Sequence, residues 1–267
     1  MFADLHTHSP FSADSKPGND MNKMCETAIA RGLSHLAITD HHELGGPLDP
    51  PWQLDLDRVF SAMQELKKKY AGRLTVLCGI EIGQSAQEPE KAAEVISSHP
   101  YDIVLNSLHS LRGEKDFFFF DYKSMTDAEI AAWYDRALDE HFKMLDIDGT
   151  HVLTHLTYMH RYVRRAGRDM HFKVFAEKVA ALFEKMIKKG VALEVNTSSL
   201  GEGIPVPVPE FLRLYHDVGG RLLSIGSDAH HYERIAKDFD LAADMLRDCG
   251  FKEIATPTRS GVLTFPI

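Results

Sequence analysis

Short apolar runs alternate with longer amphipathic segments along the chain, and this alternation constrains the fold more than any other feature. Seven runs have the character of buried strands: Ala3–Leu5, His35–Thr39, Thr75–Ile80, Ile103–Leu108, His151–Thr154, Ala192–Val195 and Leu222–Ile225. Seven segments show helical spacing: Met21–Arg31, Leu56–Tyr70, Glu90–Ser97, Asp127–Leu145, His171–Lys188, Pro209–Asp217 and Arg234–Cys249. Strand followed by helix, repeated in this way, predicts an α/β protein with a parallel sheet. The pattern alone fits an open doubly wound sheet and a closed barrel equally well.

Length and composition favour one large domain. The chain has 267 residues, a length common among α/β barrels, and no linker or composition break divides it. Hydrophobic residues make up 44%, so the core can be large without disulfides, and the 3 widely separated cysteines suit a reducing compartment. We find no signal peptide pattern and no run near the roughly 18 apolar residues of a membrane span. We therefore expect a cytoplasmic protein that does not enter membranes.

The net charge limits the kinds of molecule that the protein is expected to bind. The formal net charge is −9, whereas a protein that binds long nucleic acid through its phosphates needs a basic surface. We therefore do not expect long nucleic acid as a partner. The sequence makes no prediction of the oligomeric state.

Histidine or an acidic residue stands at the end of every predicted strand. In chain order these positions are His6 and His8; Asp40, His41 and His42; Glu81; His109; His155; Glu194, followed by Asn196; and Asp228 with His230. The carboxyl ends of parallel strands form the active-site edge of α/β folds, so we expect these side chains to meet there. One such residue alone is more often structural, but the same outcome at seven strand ends is hard to assign to chance.

Spacing within these groups indicates metal binding. His6 and His8 are two residues apart, so both side chains point to the same side of a strand. Imidazole and carboxylate are ligands that suit zinc, manganese and iron. Glu81 follows an apolar run, so its buried carboxylate needs a partner, which a metal would supply. No cysteine stands at a strand end, which favours an open catalytic site over a structural thiolate site.

The motifs DLHTHS, ITDHH, GIEIG, NSLHS, LTHL, EVNTS and GSDAH, in this order, resemble those of the polymerase and histidinol phosphatase (PHP) superfamily. The resemblance extends from the first residues to about His230, beyond which we expect a last helix and a short tail. Length and the EVNTS form are most similar to the stand-alone histidinol-phosphate phosphatases of that superfamily. The resemblance implies a distorted (β/α)7, TIM-like barrel, with residues 1–267 forming a single metal-dependent phosphoesterase domain.

The resemblance also implies three divalent metal ions, either Mn, Fe or Zn. Their ligands would be His6, His8, Glu81 and Asp228 for the first ion, Glu81, His109 and His155 for the second, and Asp14, His41 and His230 for the third. Many members have a histidine where this chain has Asp14, and an acid there favours manganese or iron somewhat over zinc. Asp40 would orient a ligand from behind.

The implied reaction is hydrolysis of a phosphate monoester, with L-histidinol phosphate as the expected substrate and a metal-bridging hydroxide as the nucleophile. Asp228 and His42 are the candidates for protonating the leaving oxygen, and His42 is also a candidate substrate contact. Arg161 is the best candidate for clamping the phosphate through paired hydrogen bonds, ahead of Arg164 and Arg165. Candidate contacts to the rest of the substrate are Asn196, Ser198 and Glu202.

Three alternatives stay open. The same centre could hydrolyse a nucleoside monophosphate, a short oligonucleotide or phosphotyrosine. A non-catalytic metal-binding module would share the fold, although the complete ligand set argues against it. An amidohydrolase also begins with HxH but typically carries a lysine after a middle strand, where this chain has Glu81 or His109. Three loops are expected to set specificity: Gly45–Leu54, Phe117–Lys123 and Gly201–Pro207. The run Phe117–Phe120 leaves two interpretations open: some of its rings line a pocket or an interface, or the run is a buried strand with one or two exposed rings.

Overall fold

The computed structural model describes residues 3–45 and 52–267. Its strands are β1 (Ala3–Asp4), β2 (His35–Ile38), β3 (His41–Glu43), β4 (Thr75–Gly83), β5 (Ile103–Ser107), β6 (Val152–Leu153), β7 (Ala192–Asn196), β8 (Leu223–Gly226), β9 (Glu253–Thr258) and β10 (Gly261–Pro266). Its helices are α1 (Met21–Ala30), α2 (Leu56–Tyr70), α3 (Pro89–Ser98), α4 (Asp127–Met144), α5 (Tyr158–Arg165), α6 (Ala176–Lys189), α7 (Pro209–Asp217) and α8 (Phe239–Asp248). Most of the predicted loop Gly45–Leu54 lies outside the described residues.

Seven parallel strands form the sheet, in the order β1-β2-β4-β5-β6-β7-β8. The sheet nearly closes on itself, because the Leu5 amide donates to the Ile225 carbonyl at 3.0 Å and the His8 amide donates to the Ala229 carbonyl at 2.9 Å. The barrel that the resemblance implies is therefore confirmed, and the open doubly wound sheet is excluded. The short strand β3 follows β2 and pairs with the far half of β4.

Local sequence signals account for the ends of several helices. Thr126 caps α4 through a capping box, in which the Glu129 amide donates to Thr126 Oγ1 at 3.2 Å and the Thr126 amide donates to Glu129 Oε2 at 2.7 Å. Gly190 ends α6 in the left-handed conformation that glycine adopts without strain. Among the described residues, no helix is long and apolar enough to cross a membrane.

The end of the chain differs from the prediction. The last helix is shorter than Arg234–Cys249, and an antiparallel hairpin of β9 and β10 follows it instead of a short tail. Phe265 packs with Leu5 and Ile103 in an apolar cluster where the barrel strands begin. The hairpin therefore covers the amino end of the barrel. Only Phe265 is buried in β10, so this strand carries too little apolar pattern to be recognised.

Two further elements were missed, and both carry site residues. Strand β3 immediately follows β2, so the sequence shows no turn between them. Helix α5 contains Arg161 and the basic residues that follow it. Because these residues are charged, the sequence does not show that one face of the helix is buried. The predicted helix over His171–Lys188 begins as a short 3-10 turn and becomes α-helical only at Ala176.

Candidate metal centre

The polar side chains that follow the strands converge at the carboxyl end of the barrel around Glu81. This residue is fully buried on β4. Its Oε2 lies 3.3 Å from His6 Nε2 and 2.7 Å from His41 Nδ1. Its Oε1 lies 3.2 Å from His155 Nε2 and 3.4 Å from His109 Nε2. One carboxylate is thus in contact with four imidazoles that come from four different parts of the barrel.

The remaining predicted ligands extend this centre on one side. Asp228 Oδ1 lies 3.2 Å from His8 Nε2, and His8 Nε2 lies 3.6 Å from Glu81 Oε2. Asp14 Oδ2 lies 2.8 Å from His230 Nε2, and its Oδ1 lies 3.8 Å from His41 Nε2. The structure therefore brings the side chains of all nine predicted ligands together, while their division among three ions stays a prediction.

Burial and opposite charges together determine the pKa values in the cluster. Burial disfavours the Glu81 carboxylate, but His41 and His6 outweigh this and hold the pKa of Glu81 well below its usual range. For His6, burial opposes the charged ring, while Glu194 and Glu81 raise its pKa well above normal. Burial, together with the neighbouring His230 and His41, lowers the pKa of His8 to about 3. His8 is thus held neutral, which is the form of imidazole that binds metals.

The donor atoms of the cluster fit divalent metal ions. Buried atoms of the cluster without a hydrogen-bond partner among the described residues include His6 Nε2, Asp14 Oδ1 and Glu81 Oε2. Buried polar atoms rarely lack a partner in folded proteins, so these atoms need one. In three sets, the donor atoms all lie within 4.8 Å of one another: His8, His41 and His230; His6, His8 and Glu81; and His41, Glu81 and His109. Nitrogen and oxygen donors at this spacing suit zinc, manganese or iron.

A second row of polar residues supports the imidazoles from behind. Glu194 Oε1 lies 2.6 Å from His6 Nδ1, and Glu194 Oε2 accepts the His155 amide proton at 2.8 Å. Asp40 accepts the Ser12 hydroxyl proton at 2.7 Å, and Ser12 Oγ lies 3.1 Å from His8 Nδ1. Asp40 therefore lies behind the cluster, as the sequence predicts. Such partners fix the tautomer and orientation of a ligating imidazole.

Glu43 is a buried member of this region that the sequence analysis missed. It lies 3.2 Å from His41 Nδ1 and 3.0 Å from His109 Nδ1, in both cases through Oε1. A signal was available, since residue 43 is two positions after His41, the same spacing that relates His6 and His8. The predicted second strand ends at Thr39, so the spacing of residues 41 and 43 falls outside it.

Three residues around the cluster have positive φ values, a backbone conformation that residues other than glycine rarely adopt. Gln84, His155 and Asp228 have φ values of 55°, 25° and 53°. The Asp228 amide donates to the His6 carbonyl at 2.8 Å, which ties this strained position to β1. Strain of this kind persists only where surrounding contacts enforce it, and it is concentrated at functional sites.

A cleft of about 700 Å³ opens above the cluster. Its lining includes the aromatic residues Phe118, Phe119, Tyr158 and Tyr162 and the basic residues Lys16, Arg161, Arg165 and Arg234. Phe118 and Phe119 are 55% and 62% exposed, whereas Phe117 and Phe120 are buried in the core. The run of four phenylalanines thus contributes two rings to the cleft and two to the core.

Arg161 is buried at the edge of the cluster and lines the cleft. Its Nη2 donates to Asn196 Oδ1 at 3.0 Å, and its Nη1 lies 3.8 Å from Asp228 Oδ2. Ser198 also lines the cleft, and its hydroxyl donates to the same Asn196 oxygen at 2.6 Å. The Asn196 side chain therefore links the guanidinium group of Arg161 to the Ser198 hydroxyl.

The two other candidate arginines lie farther out. Arg164 is exposed and pairs with Asp169 at 2.8 Å, and it is not among the described residues that line the cleft. Arg165 lines the cleft and makes two hydrogen bonds to Glu202, at 2.9 and 2.7 Å. Arg161 is thus the candidate that lies beside the cluster.

His42 lies apart from the cluster, and its roles as proton donor and substrate contact stay predictions. Residues alternate along β3, so His42 points away from the side that carries His41 and Glu43. Its Nδ1 accepts the Leu54 amide proton at 3.2 Å, and it is not among the described residues that line the cleft.

A nearly closed α/β barrel with a histidine–carboxylate cluster at its carboxyl end is an arrangement suited to metal-dependent hydrolysis. The PHP domain model matches residues 4–198, which is most of the chain. The chain therefore belongs to the PHP domain family.

Relatives within the family resemble the chain over nearly its full length. A probable histidinol-phosphatase of Clostridium acetobutylicum is 27% identical over 260 residues, covering 95% of this chain and 96% of the relative. A histidinol-phosphatase of Lactococcus lactis is 25% identical over 264 residues, covering 95% and 93%. A crystal structure of the histidinol phosphate phosphatase of Lactococcus lactis, in complex with zinc, L-histidinol and phosphate, matches with a TM-score of 0.84 at 23% identity, covering 98% of both chains. The structural match confirms the fold.

Proposed function

We propose that the protein is a metal-dependent phosphatase that hydrolyses L-histidinol phosphate to L-histidinol and phosphate. The convergence of eight histidine and carboxylate side chains around Glu81, with the buried guanidinium of Arg161 beside them, carries this proposal. The arrangement combines metal ligands with an anion-binding group at the base of a cleft. The histidinol-phosphatases of Clostridium acetobutylicum and Lactococcus lactis, which align with nearly the whole chain, support the choice of substrate.

Three divalent ions, manganese, iron or zinc, are assigned to the three groups of ligands. The groups are His6, His8, Glu81 and Asp228; Glu81, His109 and His155; and Asp14, His41 and His230. When bound, such ions lower the pKa of a water molecule and neutralise charge on a phosphoryl group. The carboxylate of Asp14 in the third group favours manganese or iron over zinc, because both accept oxygen ligands readily.

Arg161 is the proposed phosphate clamp. Its Nη2 is held by Asn196, while its Nε has no hydrogen-bond partner among the described residues. The guanidinium is therefore fixed on one side and retains donors for a phosphoryl group on the other. Two parallel hydrogen bonds from one guanidinium orient a phosphate more strictly than a point charge does.

Asp228 is the proposed proton carrier. Burial opposes its ionisation, but His6 and His8 hold the pKa of its carboxyl well below the usual range, so it enters the reaction ionised. As a carboxylate it can accept the proton of the attacking water and pass it to the leaving oxygen of the substrate. Asp228 is proposed ahead of His42, because His42 is not among the described residues that line the cleft and its Nδ1 accepts the Leu54 amide proton.

Asp116 is the proposed partner for the cationic part of the substrate. It lines the cleft, and its Oδ1 accepts the Phe118 amide proton at 2.7 Å and the Tyr158 hydroxyl proton at 3.2 Å. Histidinol carries an amine and an imidazole, which a carboxylate flanked by aromatic rings can hold through charge and stacking. The sequence analysis missed this residue because it lies in a loop eight positions after the last apolar residue of its strand motif, Leu108.

The proposal is tested by measuring phosphate release from L-histidinol phosphate, a nucleoside monophosphate, phosphotyrosine and a short single-stranded DNA. We expect the highest kcat/KM for L-histidinol phosphate. The variant Arg161→Lys should lower this value about 10²-fold, because an ammonium group cannot form the paired hydrogen bonds. Arg164→Lys is the matched control and should stay within twofold of the wild type. Preference for a nucleotide would overturn the substrate assignment, and equal effects of the two variants would overturn the role of Arg161.

A further inference from the structure

Glu43 contacts two proposed metal ligands from behind. It is 4% exposed, and its Oε1 lies 3.2 Å from His41 Nδ1 and 3.0 Å from His109 Nδ1. The opposite nitrogens of the two rings face different groups of the cluster. His41 Nε2 faces Asp14, and His109 Nε2 faces Glu81. A single carboxylate therefore lies behind one ligand of the third metal group and one ligand of the second.

The surroundings of Glu43 are shaped to hold its carboxylate in this position. Gln84 Nε2 donates to Glu43 Oε2 at 2.5 Å, and Gln84 Oε1 accepts the His109 amide proton at 2.9 Å. Gly83 pairs with Glu43 across the two strands, and a Cβ atom at residue 83 would lie 1.9 Å from Glu43 Oε2. Only glycine at this position leaves room for the carboxylate.

Hydrogen-bond geometry favours a carboxylate at this position. Glu43 Oε1 and Oε2 lie 3.0 and 3.2 Å from His109 Nδ1. A carboxylate that accepts an Nδ1 proton fixes the ring in the tautomer whose Nε2 lone pair is free. His41 Nδ1 also lies 2.7 Å from Glu81 Oε2, so two carboxylates face this nitrogen. If Glu81 binds a metal ion, Glu43 is the carboxylate that can still accept the Nδ1 protons of both His41 and His109.

We propose that Glu43 is a positioning residue that couples two metal sites, by holding His41 for one and His109 for the other. The proposal rests on the metal centre of the proposed function. It distinguishes Glu43 from Glu194, which contacts the ring of a single proposed ligand, His6, through Nδ1. Removal of the Glu43 carboxylate should therefore weaken two sites at once, whereas removal of the Glu194 carboxylate should weaken mainly the site of His6.

The test compares Glu43→Gln with Glu194→Gln and with Glu140→Gln in the full chain. Glu140 is a buried glutamate that pairs with Lys143 on α4, so its variant is a matched control for the substitution. Bound manganese is measured by titration of the metal-free proteins, and the occupied positions are identified from anomalous diffraction of crystals equilibrated with manganese. Circular dichroism of the metal-free proteins checks that each variant is folded.

We expect Glu43→Gln to lower manganese affinity about 10- to 100-fold at the two sites that contain His41 and His109. The site of His6 and His8 should stay within threefold of the wild type, and Glu140→Gln should bind like the wild type. Gly83→Ala provides a second, independent variant, since the added Cβ displaces the carboxylate without neutralising it. It should weaken the same two sites.

Three results would overturn the proposal. In the first, Glu43→Gln binds manganese at all sites as the wild type does, while the wild type still hydrolyses phosphoesters, so the proposed function survives. In the second, an oxygen of Glu43 lies within about 2.2 Å of an ion, which would make it a ligand rather than a positioning residue. In the third, the wild type binds no manganese and releases no phosphate, and both proposals then fail together.

Discussion

The two ends of the barrel are built from the same strands but from opposite kinds of side chains. At the carboxyl end, buried histidines and carboxylates crowd around Glu81, and backbone strain occurs at His155 and Asp228. At the amino end, Phe265 of the terminal hairpin packs on Leu5 and other apolar residues. The carboxyl end thus concentrates features that cost stability, and the amino end supplies packing that stabilises the fold. The comparison indicates that function and stability are separated along the barrel axis.

The largest effect is expected from Glu81→Gln at the carboxyl end. This change replaces the carboxylate that faces four imidazoles, so phosphate release should fall by at least ~10³-fold. The variant should still fold, because the apolar cluster at the amino end is unchanged. Steady-state kinetics and circular dichroism measure the two outcomes. Retention of more than about a tenth of the activity would contradict the central position of Glu81.

The converse effect is expected from Phe265→Ala at the amino end. Loss of this buried ring should lower the free energy of unfolding by about 3 kcal/mol, while kcat well below the melting temperature stays unchanged. Val262→Ala is the control on the same strand, since Val262 is 56% exposed and should cost less than about 0.5 kcal/mol. Denaturant unfolding and phosphate release measure the effects. A clear fall in kcat for Phe265→Ala would mean that the two ends are not separable.

A smaller effect involves pH and the helical layer between the two ends. Burial lowers the pKa of His141 on α4 from 6.5 to about 4, so between these values the unfolded chain binds a proton that the folded protein does not. The contribution of His141 to the free energy of unfolding is therefore fully present above pH 6.5 and is lost as the pH falls towards 4. His141→Gln should remove about 2 kcal/mol of the stability difference between pH 7.5 and pH 5, as measured by denaturant unfolding. An unchanged pH dependence would show that His141 is not buried as described.

The smallest effect is expected from His42→Gln. This residue is adjacent to His41 in sequence but points away from the cluster and accepts the Leu54 amide proton. An amide oxygen can replace that acceptor, so kcat and KM should stay within about threefold of the wild type. A large fall in kcat, with an altered acidic or basic limb of the pH profile, would restore His42 as a proton donor.

Much of the fold and the metal centre could be predicted from the sequence, because both depend on local spacing. His6 and His8 share a strand face, and the seven strands alternate with helices, so periodicity brings the side chains that follow the strands to one edge. The inclusion of Asp14 and the grouping of the ligands come from the family resemblance. The terminal hairpin could not be predicted, since Phe265 is the single buried residue of its strand β10. Asp116 and the contacts of Arg161 also escaped prediction, because they depend on how loops and α5 fold over the cleft.

The direction of His42 shows how finely such predictions depend on register. Its neighbours His41 and Glu43 face the cluster, and one position separates the proposed ligand His41 from a side chain that points away. The motif ITDHH offers two adjacent histidines, and its letters do not show which one faces inwards. Strand β3 decides this through its pairing with β4, in which His41 lies opposite Glu81.

The central claim, that the cluster around Glu81 is a metal centre that hydrolyses L-histidinol phosphate, is tested most directly by metal removal and restoration. Protein stripped with a chelator would be titrated with manganese or zinc, and bound metal and phosphate release would be measured on the same samples. The account predicts no phosphate release from the stripped protein and recovery in step with bound metal. Full activity in the stripped protein, or bound metal without any phosphate release, would contradict it.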